Sequence, residues 1–120
     1  MTKIFVLEDD QDIREIVAWI LEAENYEVVT FKNIDEFMRR NLHDLPDLFL
    51  LDVMLPDGSG IDVCKQLKSE EANQNIPILI MSAHASMEQV SSGCDAEGFI
   101  QKPFELHSFL ERIQLQVKGS

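Results

Sequence analysis

Four places in this chain carry side chains suited to phosphoryl or metal chemistry, and each follows a short apolar run: Glu8-Asp9-Asp10, Asp52, Ser82-Ala83 and Lys102-Pro103. Carboxylates that converge in one crevice repel one another unless a cation or a proton intervenes. A hard divalent ion such as Mg²⁺ takes oxygen ligands, which makes Glu8, Asp9 and Asp52 a candidate Mg²⁺ site. Mg²⁺ commonly combines few carboxylates with phosphate oxygens, so the set points to phosphoryl chemistry rather than to a structural ion. Asp52 is the candidate nucleophile, because a carboxylate can attack phosphorus to give an acyl phosphate. Phosphoryl transfer otherwise asks for positive charge and donors around the equatorial oxygens. Lys102 supplies the charge, while the Ser82 hydroxyl and the Ala83 backbone N–H supply donors.

These groups meet only if the chain brings its strand ends together. Ile4 to Leu7, Leu48 to Leu51 and Ile78 to Met81 are nearly unbroken apolar runs of strand length, as expected for strands covered on both faces. Ile13, Ile16, Val17, Ile20 and Leu21 recur at helical spacing and predict a helix over 11–24, with Asp10 or Asp12 as its cap. At Asp10 the cap is favoured over a metal ligand. Tyr26 to Phe31 predicts a second strand, and Asn33 with Glu36 forms a capping-box pattern before a second helix. Pro46 opens the third strand, which ends at Asp52. The turn-rich Pro56-Asp57-Gly58-Ser59-Gly60 then precedes a helix carrying Ile61, Cys64 and Leu67. Pro77 introduces the fourth strand, ending at Ser82. Met87 and Val90 support only a short fourth helix, Gly98 to Gln101 a brief fifth strand, and Leu106, Phe109, Leu110, Ile113 and Val117 a last helix. The order is (βα)5, an α/β architecture in which a doubly wound, five-stranded parallel sheet carries helices on both faces. Ligands in such sheets bind outside the carboxyl ends of the strands, where all four polar groups fall. The placement of Lys102 at a strand end fits a cis Lys102-Pro103 bond.

The 120 residues predict one domain over 1–120. A formal net charge of -12 opposes binding to nucleic acid, which rests on cationic side chains. With 45% hydrophobic residues, no apolar stretch of spanning length and a strand starting directly after Met1-Thr2-Lys3, the expectation is a soluble cytoplasmic domain with neither membrane contact nor signal peptide. Cys64 and Cys94 lack metal-type spacing and are read as two thiols without a bridge. His43, His84 and His107 show no ligand spacing either.

Taken in order, Ile4-Phe5-Val6-Leu7-Glu8-Asp9-Asp10 with Asp12-Ile13-Arg14 following, Leu51-Asp52-Val53-Met54-Leu55-Pro56-Asp57-Gly58-Ser59-Gly60, Ile80-Met81-Ser82-Ala83 and Lys102-Pro103-Phe104 resemble the receiver domain of two-component response regulators, over essentially the whole chain. The resemblance implies a flavodoxin-like fold and a histidine kinase or phosphotransfer protein that donates a phosphoryl group to Asp52. It implies Mg²⁺ held by Glu8, Asp9 and Asp52 with the Met54 backbone carbonyl, a phosphate held by Lys102, and a switch pair of Ser82 and Phe99. It further implies a protein that catalyses its own phosphorylation and dephosphorylation without being a conventional enzyme, and that acts on an output domain or downstream protein. A flavin-binding domain of similar topology would place a Ser-, Thr- or Gly-rich loop after the first strand, where Glu8-Asp9-Asp10 would repel the phosphate. Hydrolases of the aspartyl-phosphate type resemble one another in a second acid two residues after the nucleophile, and Met54 stands there. A degenerate receiver serving only as an interaction module is the remaining alternative.

Four positions depart from the family's pattern. Glu8 stands where many members have Asp, a longer arm that can act through water. Phe99 stands where Tyr is frequent. The 20 positions from Ser82 to Lys102 are fewer than usual, with the shortening on the fourth helix. Glu97 and Arg112 resemble a salt-bridge pair of members that form phosphorylation-dependent homodimers, but Ser108 replaces an acid expected in that scheme.

Overall fold

The computed structural model describes residues 1–83 and 93–118. Strands β1 (Lys3–Leu7), β2 (Glu27–Phe31), β3 (Leu48–Asp52), β4 (Ile78–Ser82) and β5 (Gly98–Gln101) form one sheet in the order β2-β1-β3-β4-β5. Every pairing in it is parallel. The described helices are α1 (Gln11–Ala23), α2 (Ile34–Met38), α3 (Gly60–Ser69) and α4 (Leu106–Lys118). The fourth helix expected around Met87 and Val90 lies outside the described residues. None of the described helices is long and apolar enough to cross a membrane.

Period-two alternation divides the strands between two cores. Phe5, Leu7, Phe49, Leu51, Ile78, Ile80 and Phe99 face one way, against Phe37 of α2 and Val63, Cys64 and Leu67 of α3. Ile4, Val6, Leu48, Leu50, Leu79, Met81 and Ile100 face the other, against Val17 and Leu21 of α1 and Phe109 and Ile113 of α4. Both faces are therefore covered, which is why these strands read as continuous apolar runs. On the α2 side Phe5, Phe31, Phe37 and Phe49 meet edge to face, with ring centroids 5.2–6.0 Å apart. Each buried side chain of this size contributes roughly 1.5–3 kcal/mol through removal from water.

Local chemistry sets the helix ends. Asp10 is the cap of α1, its Oδ1 accepting from Ile13 N at 3.0 Å. Asn25, at φ 68°, occupies the left-handed region that closes the far end of that helix. Asn33 Oδ1 accepts from Glu36 N at 2.8 Å, but Glu36 returns its Oε1 to Lys32 N at 3.2 Å rather than to the cap residue itself. Ser59 caps α3 by accepting from Ile61 N at 3.1 Å. The turn-rich stretch before α3 forms a small antiparallel hairpin, with Met54 opposite Ser59 and Leu55 opposite Gly58. Glu97, the residue likened to half of a dimer salt bridge, is engaged within its own chain. Its carboxylate binds Lys68 Nζ at 2.8 Å and accepts from Ile78 N at 2.7 Å.

Candidate phosphoacceptor site

The order β2-β1-β3 puts the topological switch point between β1 and β3, so the first crossover leaves to one side and the next to the other. A crevice opens there. Its cavity of about 260 Å³ is lined by Glu8, Asp9, Asp10, Ile13, Asp52, Met54, Ser82, Ala83 and Lys102. All seven residues named from the sequence for metal, phosphoryl or phosphate roles thus border one space. The strand ends deliver them: Glu8 and Asp9 follow β1, Asp52 ends β3 with Met54 two residues beyond, Ser82 ends β4 with Ala83 next, and Lys102 follows β5.

Lys102 is fixed from both ends. Its backbone N–H donates to Ser82 O at 2.8 Å, extending the β4–β5 ladder, and the following peptide to Pro103 is cis, as the sequence suggested. Its Nζ lies 2.7 Å from Glu8 Oε1 and 3.2 Å from Asp52 Oδ1. Glu8 is fully buried, and its other oxygen, Oε2, accepts from Asp10 N at 3.2 Å. Asp9 is exposed at the mouth. One carboxylate oxygen from each of Glu8, Asp9 and Asp52 can be chosen so that all lie within 4.8 Å of one another. Such an all-oxygen, multiply anionic donor set fits a hard divalent cation such as Mg²⁺ and not a soft one.

Electrostatics follow from this packing. Burial, reinforced by the Glu8 charge, pushes the Asp52 carboxyl up to about 7 against the opposing pull of Lys102. Burial works against the Lys102 ammonium, but its hydrogen bond to Glu8 and the charge on Asp52 outweigh that and raise it above the usual lysine range. The site therefore holds excess negative charge that a second cation would relieve.

Three supporting residues carry no chemistry of their own; all three lie in or beside the segments that carry the family resemblance, but their contacts could not be read from the sequence. Arg14 reaches back from α1, Nη1 donating to Glu8 O at 3.0 Å and Asp9 O at 3.2 Å, and so braces the acidic turn. Asp57, in the hairpin beyond Asp52, accepts from Ile34 N at 3.0 Å and Asp35 N at 2.9 Å, pinning that hairpin to α2. These two backbone donors hold its carboxyl below the usual range. Gly60 packs so closely under Asp52 that a Cβ there would sit 2.0 Å from Asp52 O. Only the glycine in Pro56-Asp57-Gly58-Ser59-Gly60 hinted at this, since a second glycine after a turn often marks close backbone approach.

Of the remaining sequence readings, Ser82 and Phe99 are both buried, Phe99 at 7% exposure within the α2–α3 core. His43 and His107 are exposed, away from the crevice lining, and His84 lies outside the described residues.

Comparison with known proteins agrees with the geometry. Residues 4–114 match the response regulator receiver domain. The response regulator ArlR of Staphylococcus saprophyticus is 34% identical over 120 residues, covering 98% of this chain and 53% of that protein. The phosphate regulon transcriptional regulatory protein PhoB of Escherichia coli K12 is 36% identical over 114 residues, covering 93% of this chain and 50% of that protein. The chain thus spans about half the length of these curated relatives. Among solved structures, the non-phosphorylated HemR receiver domain of Leptospira biflexa superposes with a TM-score of 0.88 at 32% identity, covering 98% of this chain and 94% of that one. With a flavodoxin-like parallel sheet, an acidic crevice at its switch point and a family match over nearly its whole length, the chain belongs to the response regulator receiver domains of two-component signalling.

Proposed function

We propose that this receiver accepts a phosphoryl group from a histidine kinase or phosphotransfer protein on Asp52, and that the modified domain changes its affinity for an output domain or downstream protein. The observation that carries this reading is the position of Lys102 Nζ, 2.7 Å from Glu8 and 3.2 Å from Asp52 at the mouth of an acidic crevice. A carboxylate there has a fixed cation beside it before any phosphate arrives.

The transfer is an in-line displacement. An Asp52 oxygen forms the new bond to phosphorus as the bond from phosphorus to the donor nitrogen breaks, and the donor departs with its electron pair. Lys102 turns from the carboxylates toward the phosphoryl oxygens, while the Ser82 hydroxyl and the Ala83 N–H donate to them. Mg²⁺ held by Glu8, Asp9, Asp52 and the Met54 carbonyl would supply further positive charge against the same oxygens.

Signalling follows from the new charge. Drawing Ser82 toward phosphate alters the packing at the end of β4, next to β5 and Phe99. Because the Phe99 ring is already buried, its response is a repacking within the core that reshapes the β5–α4 face, with no swing in from solvent. Nucleic-acid recognition by this domain is opposed by its net charge of -12, so any DNA-binding output belongs to another domain. We assign the domain as one unit over 1–120 and place it in the cytoplasm, where such kinases present their phosphoryl groups.

Incubation with Mg²⁺ and acetyl phosphate, followed by intact mass and site mapping, tests the reading. One phosphoryl adduct on Asp52, absent in Asp52→Asn, is expected. An unmodified parent protein would favour the phosphorylation-independent interaction module, and an adduct retained by the mutant would move the acceptor elsewhere.

A further inference from the structure

The two cysteines are 30 positions apart in sequence, yet the fold brings them together. Cys64 is fully buried on α3, and Cys94, on the segment entering β5, packs partly buried against the same core cluster. The Cys94 thiol is near enough to Cys64 to be among the causes that raise it. The backbone beside Cys94 independently shows how tightly the two segments meet: a Cβ on Gly93 would sit 2.6 Å from Ile61 Cγ2. Ile61 and Cys64, three apart and so on one face of α3, thus receive Gly93 and Cys94 in turn. Two thiols on segments packed this closely against one core are candidates for a bridge.

We propose that Cys64 and Cys94 are a reversible redox site, oxidised by hydroperoxides to an intramolecular disulfide that staples α3 to the entry of β5. The two thiols have unequal tasks. Cys94 is partly open to solvent and meets the oxidant first, whereas burial, together with the neighbouring Cys94, holds the Cys64 thiol well above its ordinary range and shields it. The Cys94 sulfur, as thiolate, attacks one peroxide oxygen. The S–O bond forms, the O–O bond breaks, and hydroxide leaves with the electron pair. The Cys64 sulfur then attacks the Cys94 sulfur, forming S–S as the S–O bond breaks and a second hydroxide leaves. The two thiol protons convert both hydroxides to water, so hydrogen peroxide is reduced by two electrons while the pair is oxidised by two. Cys64 is placed to resolve the sulfenic acid before it advances to the sulfinic state.

This site is independent of the phosphoryl reading and is tested on unphosphorylated protein. After hydrogen peroxide, denaturing alkylation and intact mass should show loss of two hydrogens and of both alkylation adducts in a monomer. Peptide mapping should join Cys64 to Cys94, and dithiothreitol should restore both adducts. Amide exchange over residues 94–101 should slow at least twofold in the oxidised protein. Cys94→Ser, which leaves the buried position intact, should take up no bridge and show no slowing; Cys64→Ala should instead trap Cys94 as sulfenic or sulfinic acid. Two alkylatable thiols after peroxide, over-oxidised Cys94 in the parent, or only intermolecular bridges would overturn the proposal. A bridge that forms without changing exchange at β5 would overturn the staple.

Discussion

Lys102 Nζ sits closer to Glu8 than to Asp52, at 2.7 Å against 3.2 Å, and Glu8 is the more deeply buried of the two carboxylates. The cation is therefore shared, and the acid that holds it more tightly is not the proposed nucleophile. Glu8→Gln removes a charge that stands second only to burial in raising Asp52. The Asp52 carboxyl should then titrate below its present midpoint of about 7, yet still above an ordinary aspartate because burial persists. Carbon NMR of the labelled Asp52 carboxyl measures this directly. An unmoved midpoint would mean that Glu8 and Asp52 do not sense each other.

The raised Asp52 midpoint also fixes a pH dependence of stability. A carboxyl near 7 in the folded chain and near 4 when unfolded binds more protons folded than unfolded between those values, so stability falls as pH rises through that window. Three pH units correspond to ~4 kcal/mol at most. Asp52→Asn cannot ionise and should be more stable than the parent at pH 8, by roughly 1–4 kcal/mol, with the gap closing toward pH 4. Urea unfolding at several pH values, without Mg²⁺, checks this. A mutant equally or less stable at pH 8 would contradict the electrostatic account.

Gly60→Ala addresses the support beneath Asp52, the proposed nucleophile. The added carbon would stand 2.0 Å from Asp52 O and 2.9 Å from Asp52 C, both backbone atoms that cannot swing aside. The α3 entry or the end of β3 must move, at about 1–3 kcal/mol or more. Thermal unfolding should show that loss. Acetyl phosphate labelling should also fall by more than tenfold, since a displacement near 1 Å is enough to spoil in-line attack. Full labelling in a folded Gly60→Ala protein would show that the close approach has no bearing on Asp52.

What could be read from the sequence, and what could not, divides along a physical line. Glu8, Asp52, Ser82 and Lys102 were legible because each ends or follows an apolar strand and parallel topology brings all such ends to one edge. Asp10 as a cap and Asn33 with Glu36 were legible because capping is local. The return of Glu36 to Lys32, the grip of Asp57 on α2 and the meeting of Cys64 with Cys94 were not, since each depends on how separate segments pack. Glu97 shows the same limit. The family resemblance likened it to half of a dimer salt bridge, and nothing in the sequence marked Lys68, 29 positions earlier in its own chain, as an ammonium it binds.

Lys102→Ala separates the roles assigned to this lysine. Without it, buried Glu8 and Asp52 face each other with no cation between them, and breaking a buried pair by removing one partner costs about 3–5 kcal/mol. That loss is electrostatic, so it should shrink under any condition that removes negative charge from the crevice. Lowering the pH from 8 toward 5 protonates Asp52, already pushed up to about 7 in the parent, and Mg²⁺ brings in a replacement cation. Either treatment should recover a large part of the stability deficit relative to the parent. Lys102→Met, which restores the apolar stem but not the charge, should behave like the alanine variant, with a slightly smaller deficit. In the same variants acetyl phosphate should still label Asp52, but chemical-shift changes at Phe99 and Ile100 on labelling should fall to less than half of those in the parent. A deficit independent of both pH and Mg²⁺ would reduce Lys102 to a packing residue. A full response at Phe99 in both variants would remove it from the path between phosphate and the β5–α4 face.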